Sequence, residues 1–239
     1  MKHLVVAFAT VSCICALSHP DYIKPCHIKK PDFNKCALEH GNYAIPYLVK
    51  GDKQRGVPKM NPMKLPLVEV VESNFRLAMK DLSVYGLENS SLTDIKMNQT
   101  YLDLTFHADR LMFIGQYEVD GKILFLSLQG SGPCNLTSVG GNFRFVSVLQ
   151  EYTEGKETFV KFNKPTMDYT LERAYFYLEN LLDSGDQQIG IDINRILNEN
   201  WEDVLKDIDV PLKETVTTVV ESVVSKILRN IPAKNIFPD

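Results

Sequence analysis

The sequence predicts an α+β fold, with one long C-terminal helix packed within a highly curved antiparallel β-sheet. Three observations predict it. Apolar and polar residues alternate through most of 67–178, the period-two signature of half-buried strands. Those alternating runs are too long to lie flat in a chain of 239 residues. After Leu212 the period changes to the three-four spacing of an amphipathic helix. No internal repeat or composition break divides the chain. We read 1–18 as an export signal and 19–239 as a single domain.

The N-terminus carries Lys2 and then an uncharged, largely apolar run from Leu4 to Leu17. That is the form of a secretory signal, and the run is shorter than the ~20 residues a membrane span needs. Ala16 and Ser18 supply the small residues for cleavage after Ser18. No later stretch has the length of a stop-transfer helix, so stable membrane insertion is not expected. Cys13 and Cys15 leave with the signal, and Cys26, Cys36 and Cys134 remain. In an oxidising compartment Cys26 and Cys36 are the natural disulfide pair, closing a short loop. Metal binding is the competing reading, with His27 and His40 nearby, but there is no CxxC and no repeated Cys/His spacing. No metal and no cofactor is assigned. Cys134 is left as a buried free thiol. Asn89, Asn98 and Asn135 begin sequons, with Asn135 in the more apolar surroundings.

Residues 32–51 follow helical spacing through Phe33, Cys36, Ala37, Tyr43, Ala44, Tyr47 and Leu48. Asp32 is a suitable N-cap, and Gly41 and Pro46 are candidate interruptions. Pro58, Pro62 and Pro66 then exclude a regular element from the connector. In 101–119 the apolar set runs Leu102, Leu104, Phe106 and Ala108, then switches parity to Leu111, Phe113, Tyr117 and Val119. Such a switch predicts a β-bulge at Asp109-Arg110. Asp120-Gly121 reads as a hairpin turn. Leu124, Leu126 and Leu128 resume the alternation, Gly130-Ser131-Gly132-Pro133 reads as a break, and Gly140-Gly141 reads as the start of a strand holding Phe143 and Phe145.

A polar turn at 183–186 precedes a helix near Ile191–Leu197. The long helix is expected over 213–231, with Pro211 in its first turn or kinking a longer helix. Its stripe comprises Val216, Val219, Val220, Val223, Val224, Ile227, Leu228 and Ile231. Valine is only a middling helix former, but the spacing excludes a strand.

The formal net charge of -4 gives no basic excess, which argues against a nucleic-acid partner. There is no GxSxG, no HExxH, no P-loop and no complete dinucleotide fingerprint. His107 with Asp109, and Ser127 or Ser131 as nucleophile, is the nearest approach to a triad. Polar residues on the outward face of a strand explain these positions as well, so no catalytic residue is assigned and no enzyme is expected. The positive signal is apolar supply. Inward-facing sheet residues and the helix stripe offer far more Leu, Val and Phe than polar groups, enough to fill a core or to line an elongated gap. From parity and stripe, the lining candidates are Phe106, Phe113, Tyr117, Leu124, Leu126, Phe143, Phe145, Val216, Val220, Val223 and Ile227.

The order of short motifs adds to this. They are Lys24-Pro25-Cys26 with Cys36, Gly56-Val57-Pro58-x-Met60-Asn61-Pro62-Met63, and Gly115-x-Tyr117 followed by Leu126-x-Leu128-x-Gly130-x-Gly132. Then come Leu178-x-Asn180-Leu181, Asn194-x-x-Leu197-Asn198-Glu199-Asn200-Trp201, Ile231-Pro232 and Ile236-Phe237-Pro238. In these the chain resembles the insect takeout and juvenile-hormone-binding protein family, over nearly all of its length. The resemblance implies a super-roll of sheet around the long helix, an enclosed apolar tunnel, and a secreted, non-catalytic carrier of a small hydrophobic ligand. It also suggests a circadian or feeding-related role. Moth haemolymph carriers of this family have a second disulfide, which the unpaired Cys134 does not allow, so the takeout-like branch fits better. Two functions follow: a secreted carrier of a terpenoid, fatty acid or similar ligand, or a secreted protein that acts through its surface with the tunnel filled.

Overall fold

The computed structural model describes residues 20–182, 187–229 and 231–238. The expected signal segment and the turn at 183–186 lie outside them. The strands are β1 (Met63–Glu72), β2 (Phe75–Tyr85), β3 (Ser91–Met97), β4 (Tyr101–Ile123), β5 (Leu126–Glu154), β6 (Glu157–Thr170) and β7 (Arg173–Leu178). The helices are α1 (Phe33–Lys50), α2 (Gln187–Glu199), α3 (Trp201–Asp207), α4 (Asp209–Leu228) and α5 (Ala233–Ile236).

One antiparallel sheet runs β1-β2-β4-β5-β6, with β3 on the remaining length of β4 and β7 on β5. β4 and β5 pair from Tyr101↔Val148 to Ile123↔Leu126. At about 3.3 Å per residue such a ribbon has to coil. Helix α4 shows how far the sheet rolls, because it packs against β6 and β1, the two ends of the strand order. Lys213 Nζ pairs with Asp168 of β6 at 3.1 Å. Two residues on, Thr215 Oγ1 donates to the Glu69 carbonyl of β1 at 2.8 Å. The long helix within a curved antiparallel sheet is therefore observed, with Pro211 inside the first turn of α4.

Several local expectations need correction. The parity switch lies at Asp109-Arg110, but no residue is inserted there. Ala108↔Gly141 and Arg110↔Val139 keep one register, so β4 and β5 kink together, with Gly140 at φ 59°. The register shifts fall in the neighbouring pairs, between Lys80 and Ser83 of β2, between Leu92 and Asp94 of β3, and between Val146 and Val148 of β5 against β6. Asp120-Gly121 is not a turn. A side chain at Gly121 would run into the Asn74 carbonyl, and the hairpin turns at Leu124-Phe125 instead, with Leu124 at φ 55°. The segment Gly130–Pro133 does not break β5. Gly130 and Gly132 are bare because the backbone of 179–181 lies against them. Nor does Gly140-Gly141 start a strand, since β5 runs through it. Met63–Glu72 is a strand despite Pro66, because β1 is an edge and its pairing skips that residue. Gly41 and Pro46 do not interrupt α1, and Asp32 stands at its N-cap without a side-chain cap bond.

Two buried clusters fill the roll. One joins Val70, Leu82, Tyr117, Val119 and Leu128 to Ile193 and Leu197 of α2 and Val204 of α3. The other joins Phe145, Phe162, Met167 and Leu102 to Phe33 of α1, with Val216, Val220, Val224 and Leu228 of α4 packed on it. Leu212 at the start of α4 packs on the first cluster, so α4 spans both. Cys26 and Cys36 form a disulfide, and Cys134 is a buried free thiol whose pKa burial pushes up.

Candidate functional site: an apolar cavity under the C-terminal helix

The kink in β4 and β5 leaves space between the two clusters. Residues before and after the parity switch both point inward and line this space from two sides. A cavity of about 220 Å³ lies there. Leu212, Thr215, Val216, Val219 and Val220 of α4 form one wall. Phe106 and Leu111 line it from either side of the β4 kink, and Ser138 and Phe143 from either side of the β5 kink. Phe113 and Leu136 extend this wall; Met63, Leu65, Met79, Leu82 and Val84 come from β1 and β2, and Tyr169, Ala174 and Phe176 from β6 and β7. Phe106 and Phe143 face each other across the strand pair with ring centroids 4.9 Å apart.

No Lys, Arg, His, Asp or Glu lines this cavity. The nearest cation on α4 is already committed. Lys213 bonds Asp209 at 2.8 Å and Asp168 at 3.1 Å, and both carboxylates push its pKa up. The cavity therefore has no charge with which to hold a metal, a phosphate or an ionised group, and a small apolar molecule is what its surface suits. Its polar atoms are few. Ser138 Oγ and the Tyr169 hydroxyl are buried without a hydrogen-bond partner. Burial, then the Asp209 carboxylate, pushes the Tyr169 pKa up to about 12, so this phenol stays neutral and protonated. The Asp209 carboxylate lies close enough to act on this hydroxyl, although the pair falls short of a well-formed hydrogen bond.

Of the residues singled out from sequence, Phe106, Phe113, Phe143, Val216 and Val220 line this cavity. The others sit elsewhere. Tyr117 is 2% exposed in the first cluster, and its hydroxyl donates to the Glu179 carbonyl at 2.6 Å. Phe145 is packed edge-on to Phe162 in the second cluster. Leu124 sits in the β4–β5 turn, where its N–H donates to Asp207, and Leu126 begins β5 beside it. Val223 and Ile227 are half-buried on α4, beyond the cavity wall. Sequence reading missed the β1 and β2 wall, Ser138 and Tyr169. The alternation of β2 carried a signal for Met79, but the prolines before β1 concealed Met63 and Leu65.

The remaining candidates are placed as follows. Asn89, Asn98 and Asn135 are all exposed. His40 Nδ1 lies 3.2 Å from Cys26 Sγ and 3.6 Å from Cys36 Sγ, but the two sulfurs are bonded to each other and neither is a thiolate. His107 uses both ring nitrogens, on Asn142 at 3.0 Å and Asp109 at 3.1 Å, and these contacts raise its pKa. Ser127 and Ser131 stand opposite Lys122 and Glu118, near the other end of the ribbon. Among the described residues, no helix is long and apolar enough to cross a membrane.

No curated protein sequence matches the chain. Among solved structures, Takeout 1 of Epiphyas postvittana aligns at a TM-score of 0.79 and 21% identity, over 91% of this chain and all of that one, which shows the shared fold. Lipopolysaccharide binding protein aligns at only 0.35, with 14% identity, over 79% of this chain and 38% of its own; that likeness carries no argument. The family described as haemolymph juvenile hormone binding protein matches residues 4–238. The chain, with its rolled sheet and the apolar cavity beneath α4, belongs to the haemolymph juvenile hormone binding protein family.

Proposed function

We propose that the protein is a secreted carrier that holds a small lipophilic ligand in the cavity beneath α4. One observation carries the reading: an uncharged, almost wholly apolar space lined by the helix and by both strands of the long ribbon. Empty apolar space forfeits packing contacts along its whole lining, and a ligand restores them. Membership of the family supports the same reading. A protein working through its surface alone would have no use for this space. We expect no catalysis: the histidine nearest to a triad arrangement, His107, has its ring nitrogens on Asn142 and Asp109 and not on a serine.

The N-terminal segment directs export, with cleavage after Ser18. The Cys26–Cys36 bridge agrees with an oxidising compartment. Asn89 and Asn98 are glycosylated on the exposed surface. Organic extraction of protein purified from a secreting host, followed by mass spectrometry, tests the carrier reading. The expected result is a stoichiometric apolar molecule, or saturable binding of the neutral probe N-phenyl-1-naphthylamine by extracted protein. No extractable molecule together with no probe binding refutes it.

A further inference from the structure

Ser138 and Tyr169 have a feature that the carrier reading does not explain. Among the described residues, the only buried side-chain oxygens or nitrogens without a hydrogen-bond partner are Ser138 Oγ and the Tyr169 hydroxyl. Both line the same cavity. Buried hydroxyls are almost always paired, because an unpaired one has lost water and gained nothing. Ser138 is 8% exposed, so bulk water does not reach it freely. Thr137, its lining neighbour, has a partner in Asn135. Thr215, also in the lining, already donates to the Glu69 carbonyl, and most of the remaining lining is Leu, Val, Met and Phe.

The two groups stand on opposite sides of the β5 kink. Ser138 is paired across to Ala174 of β7, whereas Tyr169 of β6 is paired across to Phe143. Phe143 stands five positions along β5 from Ser138, at most about 17 Å of extended strand. An elongated molecule in the cavity would therefore pass one group before the other. Both groups are uncharged, and no free cation lines the cavity. An ionised carboxylate here would be buried without a counter-charge.

Building on the carrier reading, we propose that Ser138 Oγ is a specificity-determining hydrogen-bonding point for a neutral oxygen of the ligand, with the Tyr169 hydroxyl as a second. The ligand class is a long apolar chain bearing an alcohol, ester, ketone or ether, in preference to a bare hydrocarbon or an ionised fatty acid.

The test uses the full mature chain and displacement of N-phenyl-1-naphthylamine at neutral pH. The competitors share one chain length: dodecane, dodecanol, methyl dodecanoate and dodecanoate. The wild type is expected to favour dodecanol and the methyl ester over dodecane by about five- to tenfold, the worth of one net hydrogen bond. Dodecanoate should compete more weakly than its methyl ester. Ser138→Ala should narrow the alcohol-to-alkane ratio and leave dodecane affinity unchanged or higher, and Tyr169→Phe should narrow it independently. Ser138→Ala should not lower the thermal midpoint, because its hydroxyl has no bond to lose; a structural role would lower it. Equal affinity for alcohol and alkane in the wild type overturns this inference while leaving the carrier reading intact. A ratio unchanged in both variants does the same. Failure of the probe itself to bind overturns the carrier reading and this inference with it.

Discussion

Val220→Phe separates a cavity from a packed core. Val220 faces the cavity from the middle of α4, and it also packs on the second cluster at the edge of the lining. Phenylalanine adds four carbons to the side chain and places them in open space. A ligand excluded from that space loses about four buried methylene equivalents, at roughly 0.8 kcal/mol each. That is about 3 kcal/mol, or roughly two orders of magnitude in affinity, if the ligand cannot slide along the cavity. A ligand that does slide should still lose about tenfold. Stability should change little, because the ring enters space that holds no protein atoms. Val223→Phe is the internal control, since Val223 lies beyond the wall and should leave probe affinity near the wild-type value. The assay pairs N-phenyl-1-naphthylamine titration with thermal unfolding. In a filled interior, overpacking costs about 1–3 kcal/mol, and at 2–4 °C per kcal/mol for a domain of this size the midpoint falls by roughly 2–12 °C. A midpoint drop of that order in Val220→Phe, with probe affinity unchanged, refutes the reasoning.

Three further outcomes follow from the supporting structure. Phe145→Ala, in the packed second cluster, should cost about 3–5 kcal/mol and should be read by denaturant unfolding. Asp103 is 6% exposed and bonded through both carboxylate oxygens to Arg144, which holds its pKa below the ordinary 3.8. A depressed folded pKa contributes stability above the unfolded value that disappears as pH falls through the folded one. The wild-type advantage over Asp103→Asn in thermal midpoint should therefore be present at pH 6 and shrink below about pH 4. Asn194 and Asn198 each hold both backbone groups of a β7 residue, Leu178 and Phe176 respectively. Replacing either by alanine should cost about 1–3 kcal/mol and speed amide exchange at the paired N–H. Unchanged exchange would show that the contacts do not hold the strand edge.

Much of the architecture was legible because periodicity is local. The stripe from Val216 to Leu228 and the alternation through Leu102–Val119 each declare a buried face within a few turns of chain. The errors came where a local signal has a distant cause. Gly130 and Gly132 look like breakers, yet they are bare because the backbone of 179–181 presses on them from fifty residues away. Gly121 likewise makes room for Asn74. Pro66 looked incompatible with a strand, and the missing fact was that β1 lies at an edge. In each case the residue type was informative about close approach or missing pairing, but not about which neighbour imposed it.

The cavity was the hardest feature to read, for a related reason. Parity states that Phe113, Tyr117, Phe143 and Phe145 all face inward, and they do. It does not state what stands opposite each. Tyr117 meets the 179–181 segment and Phe145 meets Phe162, whereas Phe113 and Phe143 meet the gap left by the joint kink at Asp109 and Gly140. On α4 the stripe divides in the same way: Val216, Val219 and Val220 reach the gap, and Val224 and Leu228 reach the second cluster. A filled core and a lined cavity thus use the same residue types at the same spacing. The distinguishing signal lies in the polar residues a core would exclude. Ser138 occupies an inward position on β5, between Leu136 and the kink, where a packed interior would favour an alkyl group. A buried serine without a partner is thus the residue that sets this lining apart from that of a packed core.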